Sequence, residues 1–309
     1  MDKLITVLES IVPIFTAILL GVFARRKQVI TTDEIKGLQQ YAMKFGLPCV
    51  LFNSCLTSDL RAEAITSMAL VFPLVLGSSL WAFRARKRTF CYHNFPMLFS
   101  AQENGMLGIP LFMSLFGTQQ AYRMGVLDMA QTLVAIPVIA ILMANVDDNP
   151  SILSIAKKVF QSPLLIMSIL GLVLNLCGVI EVLNRFGVGD ILTETTGFIA
   201  QPVSAAILFS VGYNFSVNGD NLKPIFKISA IHVAIFTVFC LIMQGAMFLL
   251  PSVEPETRWA LLFFCTLPPS FLTPGLGKNK EDFAVTSGVC SVLTILCLII
   301  FCIIAIVIA

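Results

Sequence analysis

The sequence predicts an all-α polytopic membrane protein: ten transmembrane helices, arranged as two inverted five-helix repeats with crossed, broken helices. Three observations predict it. Hydrophobic runs of membrane-spanning length fill the chain, whose 309 residues are 57% hydrophobic and 12% charged with a mean hydropathy of +0.89, a composition foreign to soluble domains. Positive charges gather between alternate pairs of runs. Proline and glycine interrupt the runs at matching places in the two halves.

A helix needs roughly 20 residues to cross a hydrocarbon core about 30 Å thick. Span 1 covers residues 4–24 and is followed by Arg25, Arg26, Lys27 and Lys36. It is too long for the apolar region of a signal peptide and reads as a retained span. Span 2 (35–56) carries Lys44 and the breaker sequence Phe45-Gly46-Leu47-Pro48. Span 3 (65–83) is followed by Arg84, Arg86, Lys87 and Arg88. Span 4 (90–116) holds Glu103-Asn104-Gly105-Met106-Leu107-Gly108-Ile109-Pro110, and span 5 (121–144) holds Asp128. Residues 145–162, with Asp147, Asp148, Asn149, Pro150, Lys157 and Lys158, read as a cytoplasmic linker between a first repeat, 1–144, and a second, 163–309. Span 6 covers 163–180. Span 7 (191–215) contains Ala200-Gln201-Pro202 and is followed by Lys223 and Lys227. Span 8 covers 225–250. Span 9 (259–276) contains Leu267-Pro268-Pro269-Ser270 and Thr273-Pro274-Gly275, with Lys278 and Lys280 after it, and span 10 covers 284–308.

Fourteen of these Lys and Arg residues fall on one side. The other side has only Lys3, Arg61, Arg123, Arg185 and Arg258. Because Lys and Arg resist translocation, the rich side is expected in the cytoplasm, with both termini extracellular and the protein in the plasma membrane. A net charge of +2 gives no reason to expect a nucleic-acid partner; the partner implied is the lipid bilayer. The nine Cys lie mostly in apolar runs, without metal spacing or a disulfide framework. There is no HExxH, GxSxG or P-loop, so no enzyme is expected and no cofactor beyond a coupling H+ or Na+.

Span 2 pairs with span 7 and span 4 with span 9, each partner five spans later. Five is odd, so the second half is inverted, and interrupted helices in matching positions point to the binding site of a secondary transporter. Proline removes an N–H and glycine permits unwinding. Unwound backbone is tolerated at membrane depth only inside protein or facing water. Half-helix N-termini meeting there carry about half a positive charge each and favour an anion such as a carboxylate. The substrate-binding candidates are therefore Asn104, Gly105, Gly108, Pro110, Pro268, Pro269 and Thr273 from the crossing, with Pro48, Asn53, Gln201 and Pro202 from spans 2 and 7. The coupling candidates are Glu103, Asp128 and Lys44, since intramembrane charges are costly. Glu9, His93 and His232 read as structural. An ion channel and a membrane enzyme with an intramembrane site are the alternative functions.

The chain resembles the auxin efflux carrier family, including its bacterial malate-permease-like branch, over nearly its whole length. The resemblance rests on Leu47-Pro48 with Leu51-Phe52, on Gly105 to Leu111 followed by Phe116-Gly117, on Asp128, on Pro202 with Leu208 to Gly212, and on Leu267-Pro268. It implies a fold like that of sodium–proton antiporters and bile-acid transporters, with a scaffold part and a transport part, often dimeric. It also implies movement of small organic anions by symport or facilitated diffusion. One departure stands out: Glu103 occupies a position where the family usually has Asn, and Asn104 falls on the usual Thr. A carboxylate at a positively polarised break can serve as proton carrier or cation ligand.

Overall fold

The computed structural model describes residues 2–57, 62–88, 90–143, 163–214, 222–249 and 253–308. Within them the protein is all-helical, with no strand. The linker expected at 145–162 lies outside the described residues. Among the described residues, four helices are long and apolar enough to cross a membrane: Thr66–Arg88, Gly189–Tyr213, Leu222–Phe248 and Lys280–Ile308. A fifth span arises if Ile166–Leu176 and Val179–Arg185, bent by 71°, count as one.

Helix α1 (Asp2–Arg26) ends in Arg25 and Arg26, cations that suit the negative end of a helix dipole. The chain leaves it through Gln28 at φ 52° and starts α2 (Thr32–Tyr41) with a capping box. Thr31 Oγ1 accepts the Glu34 N–H, and the Glu34 carboxylate accepts the Thr31 N–H at 2.7 Å. Those hydrogen bonds from Thr31 hold the Glu34 carboxyl below its ordinary range.

The sequence predicts a break at Phe45–Pro48, but the helix runs on. A π turn at Ala42–Gly46 leads directly into α3 (Leu47–Thr57). Proline clashes with the carbonyl four residues back and offers it no donor; one extra residue per turn relieves both problems. The same device recurs in the expected fourth span, where a π turn at Asn104–Gly108 leads into α5 (Ile109–Phe116). Both π turns end in glycine two residues before proline, as Gly46-Leu47-Pro48 and Gly108-Ile109-Pro110. The expectation that Gly105–Pro110 is unwound is thus corrected: that stretch is helical.

Helix α4 (Ala62–Arg88) precedes a 3-10 turn at Phe95–Phe99. Ser78 and Ser79 of α4 donate to the Phe99 carbonyl (2.7 Å) and the Ser100 hydroxyl (2.8 Å), pinning the chain where it leaves that turn. Helix α6 (Ala121–Met143) follows α5 after Gly117, at φ 83°. The second half comprises α7 (Pro163–Leu176), α8 (Val179–Arg185), α9 (Gly189–Ala200), α10 (Val203–Asn214), α11 (Leu222–Phe248), α12 (Pro255–Thr266) and α13 (Lys280–Ile308). The Gln201-Pro202 interruption is only a two-residue pause between α9 and α10.

Helices α1 and α10 approach closely enough to demand a glycine on each. A Cβ on Gly21 of α1 would lie 2.0 Å from the Phe209 carbonyl oxygen of α10, and one on Gly212 would lie 1.9 Å from the Ile18 oxygen. Small residues of this kind let membrane helices touch backbone to backbone. Asn175 of α7 donates to the orphan carbonyls of Cys55 (3.0 Å) and Leu56 (2.8 Å) at the end of α3. Elsewhere, buried Arg123 at the start of α6 donates to Thr257 and pairs with Glu254 beside α12, so it is tied rather than lying free on the surface. His232 stacks on Phe236 with centroids 4.4 Å apart, within a core that includes Phe99, Phe112, Phe263 and Phe301.

Candidate functional site

The real interruptions lie at residues 100–103, between the 3-10 turn and the π turn, and at 267–273, between α12 and a 3-10 turn at Pro274–Leu276. They meet each other. Gln102 and Pro269 form an antiparallel bridge. The Glu103 N–H donates to the Pro268 carbonyl at 2.8 Å, and the Ser270 N–H donates to the Ala101 carbonyl at 3.0 Å. A miniature two-stranded pairing thus joins a segment of each half.

Every unwound backbone group away from water must find a partner. Pro268 and Pro269 bring no N–H to satisfy. On the other edge, the Gln131 side chain of α6 acts as a third strand: its Oε1 accepts the Gln102 N–H at 2.7 Å, and its Nε2 donates to the Gln102 carbonyl at 3.0 Å. Backbone N–H can only donate, so the orientation of the Gln131 amide is fixed. The same Nε2 donates to Asp128 Oδ1 at 2.8 Å, one turn earlier on α6.

Glu103 closes the crossing. Its residue is 7% exposed. One carboxylate oxygen accepts the Met106 N–H, inside the π turn, at 3.3 Å. The other accepts the Phe271 N–H, from the second interruption, at 2.5 Å. The carboxylate therefore caps the π turn and also holds the opposite segment. Asp128 lies within electrostatic reach of Glu103 and beside the Asn104 amide. Asn104, fully buried, donates to the Met124 carbonyl at 2.7 Å, and its Oδ1 has no partner among the described residues. Gly108 is required: a Cβ there would sit 2.5 Å from Asn104 Oδ1 and 2.7 Å from Leu267. Gly105 is less constrained, with ordinary contact to Met43 at 3.5 Å. Pro110 is buried in the first turn of α5.

Of the expected site residues, the structure thus brings together Glu103, Asn104, Gly108, Asp128, Pro268 and Pro269. Thr273 is buried at the far end of the second interruption, where its carbonyl accepts from Asn94 at 2.8 Å while its own hydroxyl has no partner among the described residues. Asn94 also donates to Thr286 of α13 at 3.0 Å. Pro48 is buried within α3, and Asn53 donates to the Thr193 carbonyl of α9 at 3.0 Å. Gln201, Pro202 and Lys44 are exposed. None of these five makes a hydrogen bond to the crossing among the described residues. Sequence reasoning missed Gln131, Gln102 and Phe271. Gln131 had a signal, since it stands three residues after Asp128 and so shares its helix face.

A cleft of about 440 Å³, lined by Tyr92, Lys223, Lys227 and Asp282 among others, opens beside the first turns of α11 and α13. Asp282 accepts the His93 N–H at 3.3 Å, so the cleft adjoins the Asn94–Thr273 contact that leads to the second interruption.

A family model described as "Membrane transport protein" matches residues 6–309. No curated protein matches the chain. The chain belongs to that family, the auxin efflux carrier or membrane transport protein family.

Proposed function

We propose that this family member is a secondary transporter that moves a small organic anion, a carboxylate of the malate-permease type, by alternating access. One observation carries the reading: two interrupted segments, one from each half, pair backbone to backbone around a buried carboxylate. Broken helices that meet inside a membrane protein supply fixed dipoles for an ion or a charged substrate, at no cost in exposed backbone.

In this reading the ten spans form two inverted five-helix repeats, and the loops rich in Lys and Arg face the cytoplasm of a plasma-membrane protein with external termini. The chain acts as a homodimer. Substrate sits between the interruptions near Asn104, Pro268 and Pro269, with Gly105, Gly108 and Pro110 shaping the helix behind it. Glu103 and Asp128 carry the coupling ion, H+ or Na+. Lys44 is the weakest member of that set, because it is exposed. The cleft beside Lys223 and Lys227 is the cytoplasmic access route.

The test is reconstitution into proteoliposomes with mono- and dicarboxylates, paired with ligand-dependent melting of the purified protein at two pH values. A ligand that prefers the folded state raises its melting temperature. Saturable, gradient-driven uptake of a carboxylate that also stabilises the protein is the expected result. Non-saturating ion flux far above transporter turnover would instead identify a channel.

A further inference from the structure

An anion seat is defined by what donates to it. At the crossing, the Met106 N–H at 3.3 Å and the Phe271 N–H at 2.5 Å converge from the two halves on one carboxylate, and that carboxylate belongs to the chain. We propose that Glu103 occupies the substrate's own seat, so that loading the transporter is an exchange of one carboxylate for another. The proposal rests on the reading of the crossing as the transport site, and it deepens that reading by naming what the substrate displaces.

Three features support an exchange rather than a fixed structural cap. Polar atoms around the seat are left without partners among the described residues. Gln102, 3% exposed, has neither its Oε1 nor its Nε2 bonded, and Asn104 Oδ1 is unpaired as well. Buried groups of this kind are costly when left bare, so they suit a ligand with polar groups beyond its carboxylate. Second, among the described residues no cationic side chain hydrogen-bonds to Glu103: Lys44 is exposed, and Arg123 is tied to Glu254 and Thr257. A second carboxylate beside an ionised Glu103 would meet only repulsion, with Asp128 adding to it. Third, Glu103 reaches its seat through a flexible side chain, so it can leave without unwinding the π turn.

The exchange balances in charge. The substrate carboxylate takes the two N–H donors, and Glu103 swings out and takes a proton from the aqueous phase that admitted the substrate. No covalent bond beyond that O–H forms or breaks. One substrate carboxylate therefore travels with one proton, and the seat is never empty.

The experiment is chemical rescue of a vacated seat. Glu103→Ala, Glu103→Gln and the unmodified protein are purified, and melting is followed as acetate is titrated against chloride at equal ionic strength. Glu103→Ala is expected to melt lower than the unmodified protein and to recover saturably with acetate, by about 2–4 °C. Glu103→Gln, whose neutral amide holds the seat loosely, should respond to acetate at least fivefold more tightly than the unmodified protein. If Glu103→Ala is recovered folded only when acetate is present during extraction, the seat is equally demonstrated. An acetate response no greater in either variant than in the unmodified protein overturns the proposal. Its failure is separable from failure of the transport reading: carboxylate uptake by the unmodified protein with no rescue removes the exchange alone, whereas rescue without uptake of any carboxylate leaves the seat standing and removes transport.

Discussion

The two interruptions at the crossing face the same requirement and meet it by opposite means. The first, residues 100–103, keeps its N–H groups and satisfies them: the Gln131 amide takes that of Gln102, and the Pro268 carbonyl takes that of Glu103. The second, residues 267–273, deletes donors by placing Pro268 and Pro269 in sequence, then lends the Phe271 N–H to Glu103. The difference teaches where function can sit. The second segment offers a single backbone donor, the Phe271 N–H, while the first carries the carboxylate of Glu103 and the amide of Gln102. In the proposed exchange the first interruption supplies the group that moves and the second a fixed donor.

The comparison can be broken most sharply at Gly108. A methyl group there meets Asn104 Oδ1 at 2.5 Å and Leu267 at 2.7 Å, forcing the two segments apart. Gly108→Ala should destabilise by about 1–3 kcal/mol and abolish uptake, whereas Gly105→Ala, with its nearest neighbour at 3.5 Å, should be tolerated. Melting of both variants side by side decides it, and equal loss in the two would contradict the packing account.

Next in size is Gln131. Gln131→Met keeps the volume and removes both bonds to Gln102, leaving a buried N–H bare at about 1–3 kcal/mol. Asp128 loses its partner in the same change. A lowered melting temperature together with reduced maximal uptake is expected, and Gln131→Glu, which cannot donate to the Gln102 carbonyl, should fare no better. Wild-type melting in Gln131→Met would mean that the first interruption does not depend on side chains.

Pro269→Ala probes the second segment. It adds an N–H to the bridge and loosens the chain, so a melting loss of about 0.5–1.5 kcal/mol with little change in substrate preference is expected. The smallest effects belong to Gln201→Ala and Lys44→Ala, both at exposed positions, where uptake should change by less than about threefold, within the usual effect of surface substitutions. Loss of uptake at either position would restore it to the site.

Much of this was legible in the sequence. Apolar runs located the helices, and the proline pair placed the second interruption, because two consecutive imino residues cannot continue a helix. Glu103 and Asp128 stood out as charges in apolar surroundings. The sequence pattern puts the first interruption several residues too late, since Gly105, Gly108 and Pro110 look like breakers, yet a π turn absorbs them. The polar triplet Gln102-Glu103-Asn104 was the better marker: such residues cluster where backbone needs partners. Gln201 stands beside a proline, but a proline between α9 and α10 only pauses the helix. The pairing of Gln131 with Gln102 is a contact between distant segments, which no local pattern encodes.

The most direct test of the central claim, that the crossing is the coupling site and Glu103 its coupling group, is uptake of labelled malate and acetate by proteoliposomes carrying the unmodified protein or Glu103→Gln across a range of pH. Protonation removes the charge that opposes an arriving carboxylate, so uptake by the unmodified protein should steepen as pH falls. Glu103→Gln mimics the protonated group; it should keep substrate binding, flatten that dependence and lose proton-driven accumulation. Unchanged pH dependence together with unchanged accumulation in Glu103→Gln would contradict the account and leave Glu103 as a helix cap alone.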